Sequence, residues 1–367
     1  MRKFLFVIAT IVITACGGSS GQDKEDVVTW EITPSSLSFS GSAATKKISV
    51  KSNGDWRVKS DQLWCSATPS YSYRGMVNLD IVVAQNPTEN QRSATLTFES
   101  GLSVYNYPVT QGAGEKIESY VPAGYTLKFQ DEFNDGRIAG GKTPMPNADK
   151  WYFETGAGGW GNNEIQNYIP SFRGTDTCAV ISDGTLKIIA KKVGSEVLSI
   201  RMNTKGSWQY GYFEARLRMP SGKGTWPAFW MMPKDMSLGW PTCGEIDIME
   251  YVGYNPNIVH STVHTKAYNH MIGTQKGKST TIANAETEFH IYAVEWTADY
   301  IRGFVDGKQY FEFLNDKLNN VETWPFNKPF YLKLNLAWGG NWGGTQGVDE
   351  TKLPATYEID YVRVYQK

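Results

Sequence analysis

Three carboxylates fall within six residues of this chain, in Gly244-Glu245-Ile246-Asp247-Ile248-Met249-Glu250, a run otherwise apolar enough to be core. Burying an acid costs free energy, so acids in such a setting are expected to have a use. Side chains alternate faces along a strand, which puts Glu245 and Asp247 on one face and Ile246 and Ile248 on the other. Glu250 has the wrong parity. One extra residue near Met249, a β-bulge, would return Glu250 to the face of Glu245 and Asp247. Two glutamates would then flank a cleft with an aspartate between them. A retaining glycosidase needs that arrangement: one carboxylate attacks the sugar carbon and the other, roughly 5–5.5 Å away, protonates the leaving oxygen. Spacing does not say which glutamate does which. Upstream, in Gly224-Thr225-Trp226-Pro227-Ala228-Phe229-Trp230, the two tryptophans sit four apart and share a face, with Phe229 on the opposite one. Indole faces stack on the apolar C–H faces of sugar rings, so Trp226 and Trp230 are candidate sugar platforms.

Further motifs accompany this stretch: Asp131-Glu132-Phe133, Gly159-Trp160-Gly161-Asn162-Asn163-Glu164, Tyr210-Gly211-Tyr212-Phe213-Glu214-Ala215-Arg216, Val263-His264-Thr265, and Tyr357 to Tyr365. Together, and in this order, they resemble the family 16 glycoside hydrolases, in the bulged branch that holds the laminarinases, the endo-β-1,3-glucanases. The resemblance runs from about Tyr120 to the C-terminus. It implies that Glu245 is the nucleophile and Glu250 the acid/base, with Asp247 hydrogen-bonding the nucleophile. His264 is implied as an accessory cleft residue near the acid/base, whereas His260, which shares its parity, reads as structural. Asn162 and Arg201 are expected to hold glucose hydroxyls beside the scissile bond, and Trp240 and Trp338 to line the cleft rim. At position 338 many laminarinases carry a smaller residue, a departure that bears on the subsites. A structural calcium on the convex side is implied through Glu132, Gly174 and Asp360, partly by backbone carbonyls, with oxygen ligands that suit the ion. Catalysis itself is expected to need no cofactor.

Formal charge is −1, from 36 basic and 37 acidic residues, which argues against a nucleic-acid binder and for a neutral ligand. Met1-Arg2-Lys3, an apolar run from Phe4 to Ala15, and Cys16-Gly17 read as a signal peptide too short to span a bilayer. Ile13-Thr14-Ala15-Cys16 resembles a bacterial lipobox. Cys16 is therefore expected to be lipidated and to anchor the protein to the cell envelope as an outer-membrane lipoprotein. The remaining cysteines, Cys65, Cys178 and Cys243, are odd in number and widely spaced, without a disulfide or metal-ligand pattern. Cys243 lies two residues from Glu245 and reads as a small buried hydrophobe.

The expected organisation is all-β: residues 1–16 the lipoprotein signal, 17–26 a polar tether, 27–113 a small β-sandwich, and 118–367 a concanavalin-like β-jelly-roll sandwich with a substrate cleft. In the small sandwich, short alternating runs such as Leu79 to Val83 and Ala94 to Phe98 are separated by turn signals. Ser52-Asn53-Gly54-Asp55-Trp56, Trp64, Asn86 with Arg92, and Val109-Thr110-Gln111 resemble a BACON module, here expected to be a spacer with Trp56 and Trp64 as core anchors. Beyond it, Thr185 to Lys191, Gly211 to Arg218, Phe289 to Thr297 and Thr356 to Tyr365 alternate, and Asp183-Gly184 and Asp306-Gly307 mark hairpin turns. The function expected is endo-acting, retaining hydrolysis of β-1,3-glucan by a monomer, with mixed β-1,3-1,4-glucan as a further substrate. Two alternatives stand beside it: hydrolysis of agar or carrageenan, for which the basic clefts suited to sulfated substrates are missing from the motif flanks, and glycan binding by an inactive fold, which has no need of all three acids.

Overall fold

The computed structural model describes residues 27–86, 88–114, 118–133, 137–139, 143–182 and 184–367. The expected lipoprotein segment with Cys16, the tether and Asp183 lie outside them. Among the described residues the helical elements are one short α-turn, Gly340–Gly343, and two 3-10 turns, and no helix is long and apolar enough to cross a membrane.

The N-terminal unit is a sandwich of a four-stranded and a five-stranded sheet. Alternation decides its interior: from Leu79 on in Gly75–Val83 and from Ala94 on in Arg92–Ser100 every second residue is buried, and Leu79, Ile81, Leu96 and Phe98 meet Trp56 and Tyr107 in one cluster. Trp56 is buried against Phe98, as expected of an anchor. Trp64 is only partly buried and carries the Arg92 guanidinium 4.1 Å from its ring. Asn86, Arg92 and Gln111 turn out to be ties. The buried Gln111 amide donates to the carbonyls of Gly41, Ser42 and Ala84, accepts from Arg92 Nε, and so satisfies backbone groups beyond the ladder.

The C-terminal unit packs a ten-stranded sheet against a seven-stranded one. The larger sheet centres on Ala355–Gln366 between Gly211–Arg218 and Thr185–Val193. Asp306 and Gly307, both at positive φ, close the hairpin between Tyr300–Val305 and Lys308–Leu314, the backbone that a two-residue turn demands. The smaller sheet runs, edge to edge, through Trp151–Glu154, Arg201–Thr204, Phe330–Trp338, Thr225–Pro233, Glu245–Tyr251, Ile258–His264 and Lys276–Thr281. One face of it, with Phe229, Met231, Ile246, Ile248, Leu334 and Leu336, joins the common core against Ile188, Phe213, Val294 and Ile359. Its other face is free to line a cleft. The three cysteines among the described residues are free and buried, Cys243 with its sulfur against Met236 and the carbonyl of Gly244.

Candidate active site

The acids occupy the strand Glu245–Tyr251, and the bulge lies where parity required it. Asp247 pairs with Thr262 and Glu250 with His260 on the neighbouring strand, three residues against two. On the other side the ladder skips from Trp230↔Asp247 to Phe229↔Met249. Ile248 and Met249 therefore both point into the core, fully buried, and Glu250 turns back to the cleft beside Glu245 and Asp247. Gly244 precedes them at φ 87°, with Pro325 and Phe326 closing on the space that a Cβ would take.

The cleft has a volume of about 320 Å³. Trp226 and Trp230 share its face across the strand Thr225–Pro233, while Phe229 is buried behind. Each carboxylate of the pair receives an indole N–H: Trp226 Nε1 donates to Glu250 Oε1 at 3.1 Å, and Trp240 Nε1 to Glu245 Oε2 at 3.0 Å. Asp247 is nearly inaccessible, and its Oδ2 lies 3.3 Å from His264 Nε2, which is 3.9 Å from Glu245 Oε1.

Burial, and then the charge of Asp247, push the Glu245 carboxyl up to about 8. Burial does the same for Asp247, also to about 8. Glu250 is raised well above the carboxylate range, by burial first and by Asp247 next. Three neighbouring acids cannot all ionise, so the question is where the first charge settles. Glu245 is favoured by the groups that face the cleft: His264, Arg201 and the Trp240 N–H all lower its pKa, although its hydrogen bond with Asp247 supports the charge on Asp247 instead. Glu250 keeps its proton. A cleft with one carboxylate and one carboxylic acid on the same strand face can perform displacement at a sugar carbon with proton donation to the leaving oxygen.

At the other end of the cleft Arg201 lies between two indoles, its guanidinium carbon 4.8 Å from Trp160 and 4.9 Å from Trp230. It is ion-paired to Glu154, which also accepts from Lys333 Nζ at 2.8 Å. Burial works against the Glu154 carboxylate, yet Lys333 and Arg201 outweigh it and hold its pKa below the usual range. Burial and the charge of Arg201 bring the Lys333 ammonium down to about 7. A relay fixes Trp230 from below: its Nε1 donates to Asn335 Oδ1 at 2.7 Å, Asn335 Nδ2 to Tyr168, and the Tyr168 hydroxyl to Glu164. Asn162 lines the cleft through the same group, with its amide 3.4 Å from Glu164.

The structure thus brings Glu245, Asp247, Glu250, Asn162, Arg201, Trp226, Trp230 and Trp240 to one cavity, with His264 against its acids. Trp338 is not at the rim. It shares parity with the core residues Leu334 and Leu336, pairs with Thr225 rather than Trp226, and is 1 % exposed. The rim tryptophan of that region is Trp342, which follows the tight Gly339-Gly340 turn and packs edge-on against both Trp226 and His260. His260 thereby supports the aromatic rim, and burial lowers its pKa. Of the expected calcium ligands, the two side-chain carboxylates are engaged by arginines as folded. Arg363 takes both oxygens of Glu132, at 2.8 and 2.9 Å, and Arg216 takes Asp360 at 2.8 Å, while Gly174 sits at positive φ after Phe172–Arg173. Glu154, Lys333, Asn335, Trp160 and Trp342 were missed from the sequence. Parity along Phe330–Trp338 places Lys333 and Asn335 on the cleft face and was the signal available.

Two family models match the chain: Glycosyl hydrolases family 16 over residues 167–363, and a Viral BACON domain over 29–113. A β-glucanase of Rhodothermus marinus is 47 % identical over 254 residues, covering 66 % of this chain and 85 % of that protein. A glucan endo-1,3-β-glucosidase of Cryptopygus antarcticus is 36 % identical, covering 67 % and 93 %. Among solved structures, the laminarinase of Rhodothermus marinus superposes with a TM-score of 0.60 at 46 % identity over 66 % of this chain and 97 % of its own. SCLam, a non-specific endo-β-1,3(4)-glucanase, gives 0.61 at 45 % identity over 67 % and 93 %.

Proposed function

The chain belongs to the glycosyl hydrolases of family 16, and from that premise we propose that it is an endo-acting, retaining hydrolase of β-1,3-glucan that also accepts mixed β-1,3-1,4-glucan. A relative named as a glucan endo-1,3-β-glucosidase and a solved structure named as a non-specific endo-β-1,3(4)-glucanase support the substrate class. The observation that carries the reading is the bulged strand, which sets Glu245 and Glu250 on one face of an aromatic cleft. In the mechanism proposed, Glu245 attacks the anomeric carbon while Glu250 protonates the departing oxygen. Asp247 hydrogen-bonds Glu245 and tunes the titration of both glutamates. Once Glu245 is esterified its charge is gone, the pKa of Glu250 falls, and Glu250 takes a proton from the incoming water. No cofactor enters these steps.

A relative named keratan-sulfate endo-1,4-β-galactosidase, 31 % identical, keeps galactan cleavage in view. Against it, the basic residues among the described cleft lining are Arg201 and His270, and Arg201 is committed to Glu154. Protein lacking residues 1–16 is expected to release oligosaccharides from laminarin and none from agarose or carrageenan; activity confined to a sulfated galactan would overturn the substrate and leave the fold standing. For the cell envelope, we keep lipidation at Cys16 as the proposal, on the lipobox-like Ile13 to Cys16 alone. Replacing Cys16 by Ala should abolish labelling by a palmitate analogue, and persistent labelling would refute the anchor. The N-terminal sandwich is proposed as a spacer, and the protein as a monomer.

A further inference from the structure

We propose that Glu245, Asp247 and His264 form a binding site for a zinc-like transition-metal ion, and that the ion switches the enzyme off by capping the nucleophile. One donor atom from each of the three residues lies within 4.8 Å of the others. Zinc holds nitrogen and oxygen donors at roughly 2.0–2.2 Å in a tetrahedron, which places the donors roughly 3.3–3.6 Å apart. His264 Nε2 is already 3.3 Å from Asp247 Oδ2 and 3.9 Å from Glu245 Oε1, so small side-chain rotations close the set.

The second observation is a want of partners. Asp247 is 2 % exposed, and its Oδ2, the atom turned toward His264, has no hydrogen bond. Buried oxygens of that kind are costly unless something satisfies them. Trp240 occupies the other oxygen of Glu245, leaving Oε1 turned inward toward the imidazole. Three protein ligands leave a fourth position, open to the cleft for water, as in zinc sites with an exchangeable ligand. One imidazole and two carboxylates suit zinc and copper better than calcium, which takes six to eight oxygens. His264 Nδ1 is buried with no acceptor behind it, so the site lacks the backing that strengthens metal-bound imidazoles, and binding should be reversible.

An ion there cannot share Glu245 with a sugar: ligated through Oε1, the carboxylate no longer has the free negative charge that attack on the anomeric carbon needs. Inhibition should be competitive, raising KM with kcat unchanged, and EDTA should restore the rate.

The test is calorimetric titration of the whole protein with zinc chloride, with laminarin hydrolysis measured in parallel. Expected are one bound zinc per chain, a loss of activity of about tenfold or more at saturating zinc, and no response to calcium. His264→Ala should weaken zinc binding by about tenfold or more, and Asp247→Asn should do so if the first variant fails to fold. His270→Ala should leave binding unchanged, although its ring lies 5.2 Å from that of His264. Absence of binding at millimolar zinc, binding that survives both His264→Ala and Asp247→Asn, or binding lost in His270→Ala would overturn the site. The titration does not depend on turnover, so zinc binding by a protein inert toward laminarin would sink the glucanase reading and spare this one.

Discussion

Trp226 is joined to Glu250 by a hydrogen bond of 3.1 Å from the indole Nε1 to Oε1, so one side chain is both a cleft wall and a direct partner of the proton donor. The indole N–H favours the ionised carboxylate, against the burial that dominates. The aromatic face and the acid chemistry are therefore coupled through a single ring, which Trp342 braces edge-on at a centroid distance of 5.5 Å.

Replacing Trp226 by Phe keeps an apolar face and deletes the donor. Without the N–H the ionised form of Glu250 loses support, so its pKa rises. The alkaline limb of the kcat/KM profile, which reports loss of the acid's proton, should move to higher pH. A limb that moves to lower pH would mean that the group titrating there is not Glu250.

Lys333 offers a test of the charge group at the far end. Its folded pKa is about 7 against an ordinary 10.5. Between those values the unfolded chain carries the proton and the folded chain does not, so stability rises with pH across the window and the cost of burying the charge is fully present below about 7. Lys333→Met removes that cost while Glu154 stays paired with Arg201. The variant should be neutral to stabilising by about 1 kcal/mol near pH 6, with a smaller gain at pH 9, read as Tm by calorimetry. A large loss of stability at pH 6 would show that Lys333 holds the cleft together.

Trp338 and Trp342 separate core from rim. Truncating the buried Trp338 to Ala should cost about 3–5 kcal/mol of stability. Trp342→Ala should change stability by less than about 1 kcal/mol and raise KM for laminarin. The reverse pattern would return position 338 to the cleft.

Parity explains both what was legible in the sequence and what was misread. The bulge was legible because three acids on an apolar strand make sense together only if one residue is extra, and the ladder skips between Asp247 and Glu250. The tryptophans four apart obeyed the same rule. Trp338 is expected at the rim beside the motifs of the resemblance, although its strand mates Leu334 and Leu336 put it in the core. The pairing of Lys333 with Glu154 spans 179 residues, and no local pattern announces it. The ion pairs of the carboxylates offered to calcium were illegible for a related reason. Arg363 and Arg216 reach them across the sheet, from strand neighbours that only the fold brings near.

The roles of the two glutamates can be told apart by stereochemistry, which loss of activity alone cannot do. Glu245→Ala removes the nucleophile, so no glycosyl-enzyme can form, and activity on β-glucan should fall by several orders of magnitude. Glu250→Ala removes the proton donor and later base but leaves Glu245 in place. An activated aryl β-glucoside extended by a sugar chain needs little protonation, so this variant should still form the intermediate. Azide, which needs no base, should then rescue turnover and give the β-glycosyl azide, the product of two inversions. In Glu245→Ala the small anion can attack only from the vacated side, and rescue should give the α-azide. Exchanged anomers would reverse the assignment of nucleophile and acid/base, and two fully active variants would remove the bulged strand from the chemistry.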